Sequence, residues 1–285
     1  MQPFAYARPA TLSEAISLLA EHGSGASLLA GGTDLVVALR NRTLTPKVVI
    51  DLKRVAELRP GIRGDGGAIT INATTVLADV GEDQRVQARF PALVDAAATV
   101  GSIQIRNRAT LTGNICHASP AADTAPPLLV YGAVVNVAGA RGTRRVNLEE
   151  FFIGPGTTSL QSGELVTSIE LPAAEERLGA AFARITRRRG VDLATVSVCC
   201  LVAASGRTTF AYGAAAPRPF IVRDESGVLA DPATGDAAKD EVLKQLLTRA
   251  SPISDVRGSR DYRAAMLLVL SRRLLHTSIE RLRAA

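Results

Sequence analysis

The residues from Thr110 to Asp123, TLTGNICHASPAAD, bring two hydroxyl side chains, a glycine, an asparagine and a carboxylate into one short stretch. Thr110 and Asn114 offer side-chain donors and acceptors. Gly113 admits a ligand close to the backbone, because it has no Cβ. Ser119-Pro120 reads as a helix N-cap followed by proline at the first helical position. Free amides at such a start suit a phosphate. Asp123 at the end of the stretch can accept hydrogen bonds from ligand hydroxyls, or it can be a favourable charge in the first turn of the helix through PPLLVYG. The plainer alternative for the whole stretch is a turn-rich loop before a buried helix.

A second stretch has the same chemistry. Leu28, Leu29, Ala30, Gly31, Gly32, Thr33, Asp34 and Leu35 read LLAGGTDL, between the apolar run ASLLA and the periodic VVALRNR. The pattern is strand, Gly-Gly turn, helix, with Thr33 or Asp34 as cap and Leu35, Val36 and Leu39 on the helix's apolar face. The strand KVVIDL follows, which makes a β-α-β unit. Backbone amides in such a turn can hold a pyrophosphate without a charged side chain. The chain lacks both G-x-G-x-x-G and G-x-x-x-x-G-K-[ST], so a dinucleotide-fold or P-loop nucleotide site is not expected.

LAGGTDL, IRNRATLTGN and ASPAAD, in this order and separation, resemble the FAD-binding flavoprotein subunits of the molybdenum hydroxylases. RRRGVDLATVSV and SPISDVRGSRDYRAAMLLVLSRRLL extend the resemblance to nearly the whole chain. Where the family usually has Gly-Gly before the asparagine, this chain has Thr112-Gly113. The resemblance implies an α+β chain. A two-lobed FAD-binding domain of the PCMH/vanillyl-alcohol-oxidase type covers 1–172, with lobes of about 1–58 and 59–172. A C-terminal domain of antiparallel strands and helices follows over 179–285, after the linker AAEERLG.

The implied cofactor of this chain is FAD. Residues 28–35 match the family's first phosphate loop, and Thr110, Gly113 and Asn114 match its second. Asp123 matches an aspartate that contacts FAD, and Val166 matches a position whose backbone meets the cofactor. Val100 and Gly101 read either as backbone contacts to flavin or adenine or as a buried helix end. Arg184 stands where some relatives have a lysine near the flavin; its other reading is a solvated arginine at a strand end. The implied partners are a large molybdopterin subunit and a small [2Fe–2S] subunit, in a dimer of heterotrimers. Electrons would come from the [2Fe–2S] subunit and leave to an external acceptor. A stand-alone FAD oxidoreductase is the alternative enzyme. A scaffold subunit that has lost its flavin is the non-enzymatic one.

Composition agrees with a globular chain, at 47% hydrophobic residues and 4% aromatic with no Trp. The net charge of +6 is spread over many segments without an aromatic-basic motif, which argues against nucleic-acid binding. The Arg-bearing segments 184–189 and 257–273 are read as a basic surface able to meet an acidic partner. Cys116, Cys199 and Cys200 make neither a zinc motif nor the four thiolates of an iron–sulfur cluster. The last two, inside VSVCCLVAA, read as small buried hydrophobes. His22, His117 and His276 lack metal-ligand spacing. With no charged-then-apolar leader and no apolar run of about 20 residues, a cytoplasmic location is expected.

The elements that position these residues follow from periodicity. Thr11 and Glu14 form a capping box at a helix over LSEAISLLAEH. A hairpin is expected over 61–73, a helix opened by Thr74 or Thr75, a second from Pro91, and strands over AVVNVAG and ELVTSIELP. RGTRRVN is read as a turn before a short helix. Three C-terminal strands precede two helices, the second with Ala265, Leu268, Arg272, Leu275 and Ile279 on one stripe.

Overall fold

The computed structural model describes residues 1–284 as three principal sheets with helices layered between and behind them. The first sheet holds β1 (Ala5–Ala7), β2 (Ala26–Leu29) and β3 (Val48–Asp51), all parallel, in the order β1-β3-β2. Its crossovers are α1 (Leu12–His22) and α2 (Leu35–Asn41). The Thr11 hydroxyl accepts from the Glu14 amide at 3.2 Å, as expected of a cap. The Glu14 carboxylate turns back to the Ala10 amide at 2.7 Å, one residue earlier than a standard capping box places it.

The second sheet begins with β4 (Ile62–Asp65) and β5 (Ala68–Asn72). Six helices follow: α3 (Leu77–Glu82), α4 (Gln84–Arg89), α5 (Pro91–Thr99), α6 (Ile103–Arg106), α7 (Leu111–Cys116) and α8 (Ala125–Val130). The chain continues through β6 (Val134–Gly139), β7 (Gly142–Asn147), α9 (Leu148–Phe151), β8 (Phe152–Gly154), β9 (Thr157–Thr158) and β10 (Leu165–Leu171). The sheet order is β4-β5-β10-β6-β7, antiparallel throughout. The segment RGTRRVN is therefore strand β7 and not a turn. Its partner β6 supplies the ladder that its own charged residues do not advertise.

The third sheet is the meander β11 (Leu178–Ile185), β12 (Val196–Ala203), β13 (Thr208–Gly213) and β14 (Phe220–Asp224), backed by α10 (Asp236–Leu246) and α11 (Arg260–Ala284). Strand β12 is buried at every residue because both its faces are covered. Cys199 and Leu201 face α5 and α8, while Val198, Cys200 and Val202 face α11. This explains its unbroken apolar sequence and bears out the reading of the two cysteines. The buried stripe of α11 runs through Arg263, Leu267, Leu270, Ser271, Leu274, Leu275 and Ser278, not through Ala265 and Arg272. Arg272 is exposed and pairs with Asp240.

Candidate functional site

The Gly-Gly turn and the central stretch, about 75 residues apart in sequence, lie against each other. A Cβ on Gly31 would fall on the Arg108 carbonyl oxygen and stand 2.9 Å from the Ala109 Cα. Only glycine permits so close an approach of two backbones. The Ala109–Leu111 backbone is held in turn by residues after β5. Leu77 donates its amide to Ala109 O at 2.8 Å, and Leu111 donates to Thr75 O at 3.3 Å. Thr74 and Thr75, expected to open α3, instead bond to the carbonyls of Leu58 and Gly61 and fasten the first sheet's exit to the second. Val76 is the N-cap of α3, without a side-chain cap.

The Gly-Gly turn leaves its amides free. Neither Thr33 nor Asp34 caps α2 with its side chain, contrary to expectation. Among the described residues no group accepts from the amides of Gly31, Gly32, Thr33, Asp34 or Leu35. Gly32 has φ +80°, which turns successive N–H groups toward one side. Such a concavity binds anions. On α2 only Leu39 is buried; Val36 and Val37 are exposed beside the turn.

Of the central stretch only Leu111–Cys116 is helical; residues 117–124 form turns before α8. Thr110 caps α7, its hydroxyl accepting from the Gly113 amide at 2.9 Å. Asn114 accepts from the Thr124 hydroxyl at 2.6 Å. Ser119 does not cap a helix: its oxygens accept from Ala121 and Ala122 in a turn, and α8 starts only at Ala125. Ala118 and Ala214 are held at φ +50° and +55° on either side of this turn. The Ala214 amide reaches Pro120 O at 2.6 Å.

Asp123 and Arg184 are ion-paired, both with largely buried side chains. The strand period of two explains the encounter. Ala180, Phe182 and Arg184 share the face of β11 directed at α5 and α8, and Arg184 stands opposite Ser197, which stands opposite Gly213. Burial pushes the Asp123 carboxyl up to about 6, against the pull of the Arg184 charge and hydrogen bond; the neighbouring Thr99 hydroxyl is donated to Ala96 O at 2.7 Å. Asp123 Oδ1 has no partner. Neither have the buried Thr112 and Ser197 hydroxyls. Ser197 was invisible in the sequence, as one small residue inside an apolar strand.

Thr99 ends α5, so Val100 and Gly101 adjoin this pair. Gly101 has φ +55°, and Arg106 donates to Val100 O at 3.2 Å. Val166 stands apart: its side chain lies in the core, at a bulge of β10, on a strand that packs against α7. The expected basic surface is largely paired, and its first member, Arg184, is buried against Asp123. Arg187 binds Asp192 at 2.9 Å, Arg188 binds the Val191 carbonyl, and Arg257 and the buried Arg263 both bind Asp255.

Residues 2–174 match the model of the FAD-binding domain in molybdopterin dehydrogenases, and residues 181–278 match that of the CO dehydrogenase flavoprotein C-terminal domain. The chain belongs to this family. It is 33% identical to the carbon monoxide dehydrogenase medium chain of Hydrogenophaga pseudoflava, over 96% of each chain. It is 30% identical to the xanthine dehydrogenase FAD-binding subunit of Escherichia coli O157:H7, over 96% of this chain and 95% of that one. A solved carbon monoxide dehydrogenase from Hydrogenophaga pseudoflava superposes with a TM-score of 0.90 at 32% identity, covering 99% of both chains. Family members are oxidoreductase subunits, and the α+β architecture expected from the resemblance is the one observed. No helix of the described residues is long and apolar enough to cross a membrane. The run of free amides fits the phosphates, and the unpartnered Thr112 and Ser197 hydroxyls and Asp123 oxygen fit the hydroxyls, of a group such as FAD.

Proposed function

We propose that this chain binds FAD non-covalently and relays electrons within a molybdenum hydroxylase complex. The carrying observation is the flush packing of the two glycine-bearing loops, which leaves five consecutive amides of 31–35 without acceptors. Those amides, with Leu28 to Ala30 leading into them, would cradle the pyrophosphate against Thr110, Gly113 and Asn114. Asp123 would accept from the polyol hydroxyls. Val100, Gly101 and the Val166 backbone would flank the flavin, and Arg184 would belong to the same site. When bound, FAD supplies one- and two-electron redox chemistry; the chain supplies placement and electrostatics. We place the FAD-binding domain at 1–172 and the C-terminal domain at 179–285, a division that the ranges of the two matched family models support.

The partners in this reading are a small [2Fe–2S] subunit that delivers electrons and a large molybdopterin subunit that oxidises substrate. They assemble as a dimer of heterotrimers in the cytoplasm. Exposed Val36, Val37, Ile103 and Ile105 flank the loops and give an apolar surface for such contact. The purified chain should bind FAD and be bleached by dithionite, yet show no turnover with hydroxylase substrates until both partners are added. Turnover of a small organic substrate by the single chain at about 1 per second or faster would replace this reading with a stand-alone flavoenzyme.

A further inference from the structure

Arg184 occupies the position at which a cation beside the flavin was expected, but its guanidinium is committed to a carboxylate. We propose that Arg184 is a positioning residue acting through Asp123: it keeps that carboxylate ionised and turned so that Oδ1 is offered to a hydroxyl of the bound ligand. The proposal rests on the reading of this site as the FAD site.

Four observations carry it. The pair is enclosed, with side-chain exposures of 7% for Asp123 and 11% for Arg184. Arg184 Nη1 engages only Asp123 Oδ2, and Oδ1 stays buried without a partner. A buried carboxylate oxygen that finds no donor is costly to keep, so its retention calls for an incoming donor. The pair also joins parts of the chain 61 residues apart, the loop before α8 and strand β11.

The electrostatics assign the two roles. Burial raises the carboxyl toward protonation, and the first opposing influence is the Arg184 charge. From α5 the Thr99 hydroxyl comes near but is donated to Ala96 O, and Arg184 is the charged group paired with it among the described residues. Asn114 of α7 and Thr124 at the start of α8 are uncharged and bonded to each other. A nearby cation lowers a carboxyl by about 1–3 pH units. Removing it must therefore carry Asp123 upward from about 6 into or beyond the neutral range.

The test is the pH dependence of FAD affinity, read by quenching of flavin fluorescence, in the wild type, R184M, R184Q, R184K and D123N. Circular dichroism checks each fold. Wild-type affinity should fall as pH drops through about 6. In R184M the midpoint should rise by about 1–3 pH units, with affinity weakened about two- to ninetyfold at pH 7 according to the size of that rise, and returning as pH passes the new midpoint. R184K should restore the wild-type midpoint, and D123N should bind weakly with a flat profile. If R184M does not fold, R184Q decides by the same shift. A wild-type profile in R184M and R184Q, or an equal loss at every pH, overturns the positioning role while FAD binding stands. A wild type that binds no FAD at any pH overturns the flavin reading itself and the proposal with it.

Discussion

Gly31 and Gly32 are adjacent, yet each lacks a side chain for its own reason. At Gly31 a Cβ would collide with the Arg108 carbonyl, which is protein backbone that cannot give way without opening the two loops. At Gly32 the first atom met is the tip of Leu29, at 2.8 Å, and the constraint is the backbone at φ +80°. Gly31→Ala should therefore cost about 1–3 kcal/mol by overpacking and lose flavin together with stability. Gly32→Val should cost about 1–2 kcal/mol of backbone strain, stay folded, and lose flavin because the side chain fills the approach to the amides. Thermal melts and the flavin-to-protein absorbance ratio separate the two. A folded Gly32→Val chain that keeps its full flavin content places the pyrophosphate elsewhere. The glycines themselves were legible in sequence, since only a turn or a close approach needs two in a row. What each one touches was not, because Arg108 lies far along the chain.

At the scale of elements, periodicity found the strands that are buried on one or both faces and the long helices. It missed elements whose existence depends on a partner. Strand β7 reads as a polar turn until β6 is placed beside it. Strand β14 follows Pro217 and Pro219 and alternates too briefly to register. Helix α7 is six residues long and contains a glycine, so its own propensity is poor; Thr110 and the ladder to Thr75–Leu77 hold it. Arg263 is the clearest failure of local reasoning. It was assigned to a basic surface, yet it is 2% exposed. It donates to Thr195 O, to Ala214 O and to Asp255 at 2.6 Å, tying α11 to the ends of β12 and β13. Arg263→Met keeps the stem but strands two carbonyls and leaves Asp255 with Arg257 alone. Each buried carbonyl left without its donor costs about 1–3 kcal/mol, so calorimetry should show the melting temperature lowered by roughly 5–15 °C. The Arg257 and Arg263 guanidiniums hold the Asp255 carboxyl well below its ordinary value. Its stabilising contribution is thus present above the ordinary carboxylate range and disappears as pH falls through the folded value. An unchanged melting temperature in the variant would show the clip to be dispensable.

The whole molecule is tied together more closely than a division into two family models suggests. Phe182, Cys199, Leu201, Ala211 and Ile221 of the third sheet belong to one continuous core with Leu93 and Ala97 of α5 and Leu128 and Leu129 of α8. Arginines of the C-terminal part cross the same boundary. Arg281 reaches Asp95 at 2.7 Å, Arg218 reaches Phe152 O at 2.6 Å, Arg223 reaches Glu149 at 2.9 Å, and Arg184 reaches Asp123. Exposing Phe182, Leu201 and Ile221 alone would forfeit about 1.5–3 kcal/mol for each side chain. That loss is comparable to the net stability of an ordinary domain, so neither part should survive the unfolding of the other. Differential scanning calorimetry of the intact chain should accordingly give a single endotherm. Added FAD should raise that one transition as a unit, by an amount equivalent to about 2.7 kcal/mol at a hundredfold excess over its dissociation constant. Two resolved endotherms, with FAD moving only one, would mean that the shared core does not couple the parts and that the Asp123–Arg184 contact opens independently of either fold.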